Sequence, residues 1–171
     1  MNRDPVLDEA IAAYASRDTV SNAQRSALET LAKWHNAIGA KDLEVLRGMM
    51  DAGIVIELPF NESGKTDRES YRVYSGIEQC CAFWTSAFAA EGVIHGISEV
   101  DLTVDGAGAR IFFECRGHLT MANGRDYRNR YVMRMDLCDG RVLRCKEYYN
   151  PIQSAYAFGR PIAGQFMLDR L

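Results

Sequence analysis

The fold class this sequence predicts is α+β, a single domain with N-terminal helices packed on a curved, mostly antiparallel sheet. Three observations predict it. Apolar residues recur at helical spacing through the first half of the chain. The period then changes from about 3.6 to 2 near residue 93. Beyond that point, short glycine-containing turns separate four alternating runs, as in an antiparallel meander.

Each element has its own warrant. Residues 6–17 put Val6, Ala10, Ala13 and Tyr14 on one helical face and form an N-terminal extension over 1–20. The main domain, 21–171, opens with Ser21, a favourable N-cap. The helix behind it carries Ala27, Leu28, Leu31, Trp34 and Ile38 at helical spacing and is capped by Gly39. "KDLEVLRGMM" forms a short helix from Asp42, and "GIVIELPF" a first strand ended by Pro59. The polar stretch 61–72 reads as a loop. "SGIEQCCAFWTSAFAAEG" restarts a helix with Ile77, Cys80, Cys81, Trp84 and Phe88 on one side. Strands follow at 93–104, 109–121, 127–137 and 141–150, separated by "DGAG", "ANGRD" and "CDG".

Bulk properties exclude several classes of function. The 171 residues are 47% hydrophobic and 25% charged, enough for one sizeable core with room for a pocket. A net charge of −3 recommends neither nucleic acid nor an anionic membrane as partner. No apolar run approaches the ~20 residues of a spanning helix, and the charged N-terminus is not a signal peptide. Five cysteines without a C-x-x-C pair read as reduced thiols of a cytoplasmic protein, with no metal site. Phosphate-binding glycine loops, the G-x-S-x-G elbow and H-E-x-x-H are all absent. Cys80 and Cys81 lie beside Phe83 and Trp84, a packing environment rather than that of a nucleophile.

Alternation assigns the faces of the last strands. Phe113 and Cys115 share one face of 109–121, while Arg110, Glu114, Arg116 and His118 take the other. Tyr127, Asn129, Tyr131, Met133 and Met135 oppose Arg128, Arg130, Arg134 and Asp136. In 141–150 the less charged face holds Leu143, Cys145, Glu147 and Tyr149, so Glu147 points inward. A carboxylate behind apolar walls resists ionisation, which brings its pKa towards the range useful for acid–base work. The alternation leaves a second reading open, a solvent-facing glutamate paired with Arg130, Arg141 or Arg144. Asn129, Tyr127 and Tyr131 are candidate hydrogen-bonding groups; Phe113, Met133, Met135, Trp84 and Tyr149 are candidate walls. Glu57 is a second candidate carboxylate. His118 suits a surface or interface better than catalysis, and His35 reads as structural.

Three segments carry a resemblance: "FFECRG" at 112–117, "YRNRYVMRMDLCDGRV" at 127–142 and "KEYYNPIQSAYAFGRPI" at 146–162. With the order of elements, they resemble the cone-shaped nuclear transport factor 2-like superfamily, which includes ketosteroid isomerase and the SnoaL-type polyketide cyclases. Within it the phenazine-biosynthesis A/B proteins are most similar. The resemblance implies that Glu147 looks into the cone as an acid–base or ligand-binding group, and that the tail after Asn150-Pro151 folds across the rim. Two departures accompany it. Cys81 stands near the histidine of the phenazine proteins, and Leu58 stands where ketosteroid isomerase has its base, with Glu57 one residue earlier and facing the other way.

Two functions follow as expectations. One is a cofactor-independent isomerase, cyclase or dehydratase acting on a largely apolar, ring-bearing small molecule through Glu147. The other is a non-catalytic binding or assembly module of the same fold. The arginine stripe on the convex sheet face, with Glu114 and Asp136, is the expected surface for a homodimer.

Overall fold

A computed structural model describes residues 4–161. Residues 1–3 and 162–171, the outer ends of the expected extension, domain and tail motif, lie outside the described residues.

Helix α1, Pro5–Ala15, begins where the Asp4 carboxylate accepts from the N–H groups of Val6 and Leu7. Its buried face is one residue out from the expected one: Leu7 and Tyr14 are buried, and Val6 is 37% exposed. α2, Asn22–Gly39, starts with a capping box between Ser21 and Gln24. It ends one residue beyond the expected cap, at Ala40, and Lys41 then takes a left-handed φ of 54°. α3, Leu43–Met49, is capped by Asp42 and runs without a loop into β1, Met50–Leu58, which starts earlier than expected. β2, Arg72–Ser75, was not anticipated, because four residues are too few to display an alternation.

α4, Ile77–Ala90, passes directly into β3, Glu91–Val104. β4, Arg110–Met121, β5, Asp126–Cys138, and β6, Arg141–Tyr149, complete the meander. α5, Pro151–Phe158, follows at once. Asn150 caps it, and Pro151 stops the strand while opening the helix.

Among the described residues six strands form one sheet in the order β2-β1-β6-β5-β4-β3. Neighbours are antiparallel except β1 and β6, which run parallel. β6 is therefore internal, and its two flanking strands come from opposite halves of the chain. Three register shifts interrupt β3 against β4, at Glu91/Val93, Ile94/Gly96 and Ser98/Asp101, and such bulges bend a sheet. Another shift, between β5 and β6, corrects the expected faces of the last strand. Val142 is buried and Leu143 is 37% exposed, so Leu143 does not share the inner face of Cys145. Beyond the bulge the phase holds through Cys145, Glu147 and Tyr149.

α2 and α4 cover the inner face, meeting through an edge contact of Trp34 and Trp84 with ring centroids 6.1 Å apart. Leu28, Leu31, Leu46, Ile56 and Ile111 are almost wholly buried around them. Each such side chain contributes about 1.5–3 kcal/mol.

Candidate functional site

Between α2, α4 and the inner face of the sheet lies a cavity of about 620 Å³. Small-molecule sites typically occupy ~300–1,000 Å³. The aromatic side chains on its walls include Phe83, Trp84, Tyr127, Tyr131, Tyr149 and Phe158. Trp84 sits between Phe83 and Phe88, at centroid distances of 5.0 and 5.6 Å, and its Nε1 is buried without a partner. Gly117 makes room for Tyr131, since a Cβ there would lie 2.9 Å from Cε2 of that ring.

Glu147 stands on this wall, opposite Met133 in the β5–β6 register. Among the described residues no side chain hydrogen-bonds or ion-pairs with its carboxyl. Burial, and secondarily the charge of Glu91, push its pKa up to about 7. Glu91, the first residue of β3, lines the same cavity, and its Oε2 is buried without a hydrogen-bond partner. Burial raises this carboxyl to about 7 as well, against the opposing pull of the Lys41 ammonium. Lys41 is held there by the carbonyls of Phe88, Glu91 and Gly92, at 3.1, 2.5 and 3.2 Å.

Other polar groups on the wall are neutral or already paired. Burial lowers the pKa of His35, whose Nε2 lies 4.0 Å from Asp4, so the ring is uncharged at neutral pH. Tyr127 and Tyr131 are both raised by burial and remain phenols, able to donate hydrogen bonds. At one end of the cavity Arg72 and Arg160 both pair with Glu62, the latter at 3.1 Å. Among the described residues no group of three or more His, Cys, Asp or Glu side chains is placed to hold a metal ion.

The structure brings six of the expected residues to the cavity wall: Glu147, Tyr127, Tyr131, Tyr149, Met133 and Trp84. Four it does not. Asn129 is buried beside the wall with its amide consumed. Its Nδ2 donates to the Tyr127 hydroxyl and the Asn150 carbonyl, and its Oδ1 accepts from Arg130 and Asn150 N–H. It clasps the end of β6 and orients Tyr127. Phe113 is fully buried against the His35 ring, off the cavity. Glu57 faces the outer side, with Lys146 at 3.2 Å, Arg144 at 3.7 Å and Arg68 at 3.9 Å. His118 pairs with Asp126 at 2.7 Å and stacks on His95, also away from the cavity. Met135, expected as a wall, is buried in the core.

Leu58 lines the cavity, whereas Cys81 is buried off its wall near the Arg47 guanidinium. Sequence reasoning missed Glu91 and His35. His35 falls on the stripe Leu28, Leu31, His35, Ile38, a signal that was available. Glu91 sits at a helix-to-strand junction where neither period applies.

The SnoaL-like domain model matches residues 31–145. The chain belongs to the SnoaL-like domain family. Among curated relatives, the uncharacterized protein YesE of Bacillus subtilis (strain 168) is 27% identical over 141 residues, spanning 81% of this chain and 90% of that one. The same SnoaL-like, nuclear transport factor 2-like fold recurs in solved structures. A Bacillus subtilis protein proposed to be an isomerase superposes with a TM-score of 0.71 at 20% identity, covering 83% of this chain and 99% of its own. A phenazine biosynthesis-related protein from Pseudomonas aeruginosa gives 0.65 at 19%, covering 82% and 89%. A protein from Jannaschia sp. CCS1, proposed to be a SnoaL-like polyketide cyclase, gives 0.66 at 20%, covering 85% and 99%. At such identities the structural likeness concerns the fold; the chemistry rests on the cavity.

Proposed function

We propose that this SnoaL-like protein is a cofactor-independent enzyme of the isomerase or cyclase type, acting on a largely apolar, ring-bearing metabolite, with Glu147 moving the proton. One observation carries the reading. Among the described residues Glu147 stands unpaired on the wall of a 620 Å³ cavity rich in aromatic side chains, its pKa brought to about 7 by burial. A carboxyl poised near neutrality accepts and returns a proton with little driving force lost either way. The phenols of Tyr127 and Tyr131 are the donors for an oxygen that gains charge during the reaction, a contribution of ~3–4 kcal/mol when aligned. The family supports this reading through relatives proposed to be isomerases and polyketide cyclases.

The test is carbon-detected NMR of the Glu147 carboxyl, assigned with Glu147→Gln, with and without 2-naphthol as a mimic of a bicyclic enolate. A midpoint well above the ~4.3 of a free glutamate that moves with the ligand supports an enzyme pocket. A midpoint at or below that value and indifferent to the ligand removes the reading and leaves a non-catalytic module.

We also propose that a second copy covers the outer sheet face. Phe112 and Val132 are 47% and 38% exposed there on neighbouring strands. The arginines expected to reach across are engaged within the chain. Arg110 and Arg134 bind Asp136, Arg116 and Arg130 bind Glu99, and Arg128 binds Asp126. The apolar pair, rather than the charges, would then supply the contact. Sedimentation of Phe112→Lys against the unmodified protein checks this, a dimer giving way to monomer.

A further inference from the structure

Asp4, the residue that caps α1, uses its two carboxylate oxygens for different tasks. Oδ1 accepts from the N–H groups of Val6 and Leu7 at 3.0 and 3.3 Å, which is all that a helix cap requires. Oδ2 reaches elsewhere. It accepts from the Ile97 N–H at 3.0 Å and lies 4.0 Å from Nε2 of His35. The fold makes room for this reach. β3 is bulged between Ile94 and Gly96, and Gly96 has a φ of 116°, where a Cβ would come within 3.1 Å of the same oxygen. The Asp4 N–H donates at 3.3 Å to Oδ1 of Asn36, the neighbour of His35 on α2. The carboxylate is thus fixed beside one side chain of the cavity wall.

His35 lines the cavity, and its ring meets Phe113 edge-on at 5.9 Å. It is neutral at rest, since burial outweighs the pull of Asp4 on its pKa. Among the described residues neither ring nitrogen has a hydrogen-bond partner, and Asp4 is the one carboxylate within 4.0 Å of them. In a neutral imidazole one nitrogen carries the proton and the other accepts. A carboxylate facing Nε2 favours the proton there and leaves Nδ1 as the acceptor. Of the other titratable wall groups, Cys115 and the three tyrosines are uncharged at neutral pH, and Glu62 engages Arg72 and Arg160. The Glu91 and Glu147 carboxyls are raised to about 7.

We propose that His35 is the acceptor for a hydroxyl on the ring-bearing ligand, with Asp4 as its positioning residue, so that α1 contributes to the binding site. The family match begins at residue 31, so the Asp4–His35 contact reaches in from outside it, from the N-terminal extension. The inference rests on the cavity binding a ring-bearing molecule, as proposed above, and not on the role of Glu147. The ligand O–H donates to Nδ1. With an acidic hydroxyl, such as a phenol, the proton crosses to Nδ1 and the O–H electron pair stays on the ligand oxygen. The imidazolium so formed presents its Nε2–H to the Asp4 carboxylate, an opposite charge at close range in a medium of low dielectric. On release the proton returns to the oxygen, and nothing is consumed. The cavity thereby selects hydroxylated rings over bare rings of the same shape.

The experiment is long-range proton–nitrogen NMR of the histidine rings across pH, for the intact protein, Asp4→Asn and His35→Leu, the last assigning the His35 signals. Asp4→Asn keeps a good helix cap and an oxygen for the Ile97 N–H, and removes the charge. The neutral ring of the intact protein should carry its proton on Nε2, and Asp4→Asn should lower the His35 midpoint by ~1 unit or more. If Asp4→Asn fails to fold, the tautomer of the intact protein decides. The companion measurement is the Kd of 2-naphthol against that of naphthalene. His35→Leu should weaken 2-naphthol by roughly tenfold and leave naphthalene little changed, and Asp4→Asn should weaken 2-naphthol by a smaller factor. A neutral ring protonated on Nδ1, a midpoint unmoved by Asp4→Asn, or an equal loss of both ligands in His35→Leu overturns the proposal. The enzyme reading then stands as long as 2-naphthol still moves the Glu147 midpoint. Binding of neither ligand, with a Glu147 midpoint that is ordinary and indifferent to them, overturns both.

Discussion

Glu57 and Glu147 occupy the same level of the sheet on adjacent strands, for Glu57 pairs in register with Lys146. One faces out and the other in. Outside, Glu57 is only 4% exposed yet has three cations within 4 Å. Inside, Glu147 has aromatic walls and a like charge, and its proton is held to about 7. Two identical side chains thus differ in surroundings because strand parity delivers them to different neighbours. Glu57 is held by the charges around it, whereas Glu147 keeps its proton because burial denies it such partners.

Several substitutions would break or sharpen that contrast, beginning with the largest effect. Glu147→Gln should lower turnover of any substrate found by a screen by ~10²-fold or more, measured as kcat/KM, while Glu57→Gln changes it little. The pH dependence of stability comes next. Glu147 binds its proton more tightly folded than unfolded, so its stabilising contribution is full below the unfolded value of 4.5, falls as pH rises, and levels above about 7. The loss amounts to about 3 kcal/mol for this group. Urea unfolding at pH 4.5 and 7.5 should show that slope, and Glu147→Gln should reduce it, leaving the part that Glu91 contributes. Glu57→Ala should cost about 1–3 kcal/mol by the same method, because it strands Lys146 and Arg144 at the outer face. Asn129→Ala should cost a similar ~1–3 kcal/mol through the orphaned groups of Asn150 and Tyr127. His118→Ala, at an exposed ion pair, should stay within ~1 kcal/mol.

Much of the fold was legible because periods are long-lived signals. The stripe on α2 and the alternation of β4 and β5 survive in the structure almost residue for residue. Legibility failed where a period is interrupted. The extra residue at Leu143 inverted the first half of β6, yet the inward phase of Glu147 was read correctly because it lies beyond the bulge. β3 carries three register shifts, so no count of alternation along it could have brought Glu91 to the cavity. Asn129 and Phe113 show a different limit. Alternation places both on the inner face, but facing inward does not distinguish a cavity wall from the layer packed behind it. That distinction depends on α2, α4 and the strand-end clasp, which no local pattern encodes.

The position of β6 has a consequence for how the molecule comes into being. β2 and β1 can pair early, and β3, β4 and β5 can pair among themselves, but these two groups share no strand until β6 arrives. During synthesis the chain therefore carries two incomplete sheets, each with an open edge, until residues 141–149 have left the ribosome. Joining Ile56 to Cys145 closes a long loop, the kind of non-local contact that slows folding. Because the joining strand also bears Glu147, the cavity lacks this carboxyl until that strand is in place.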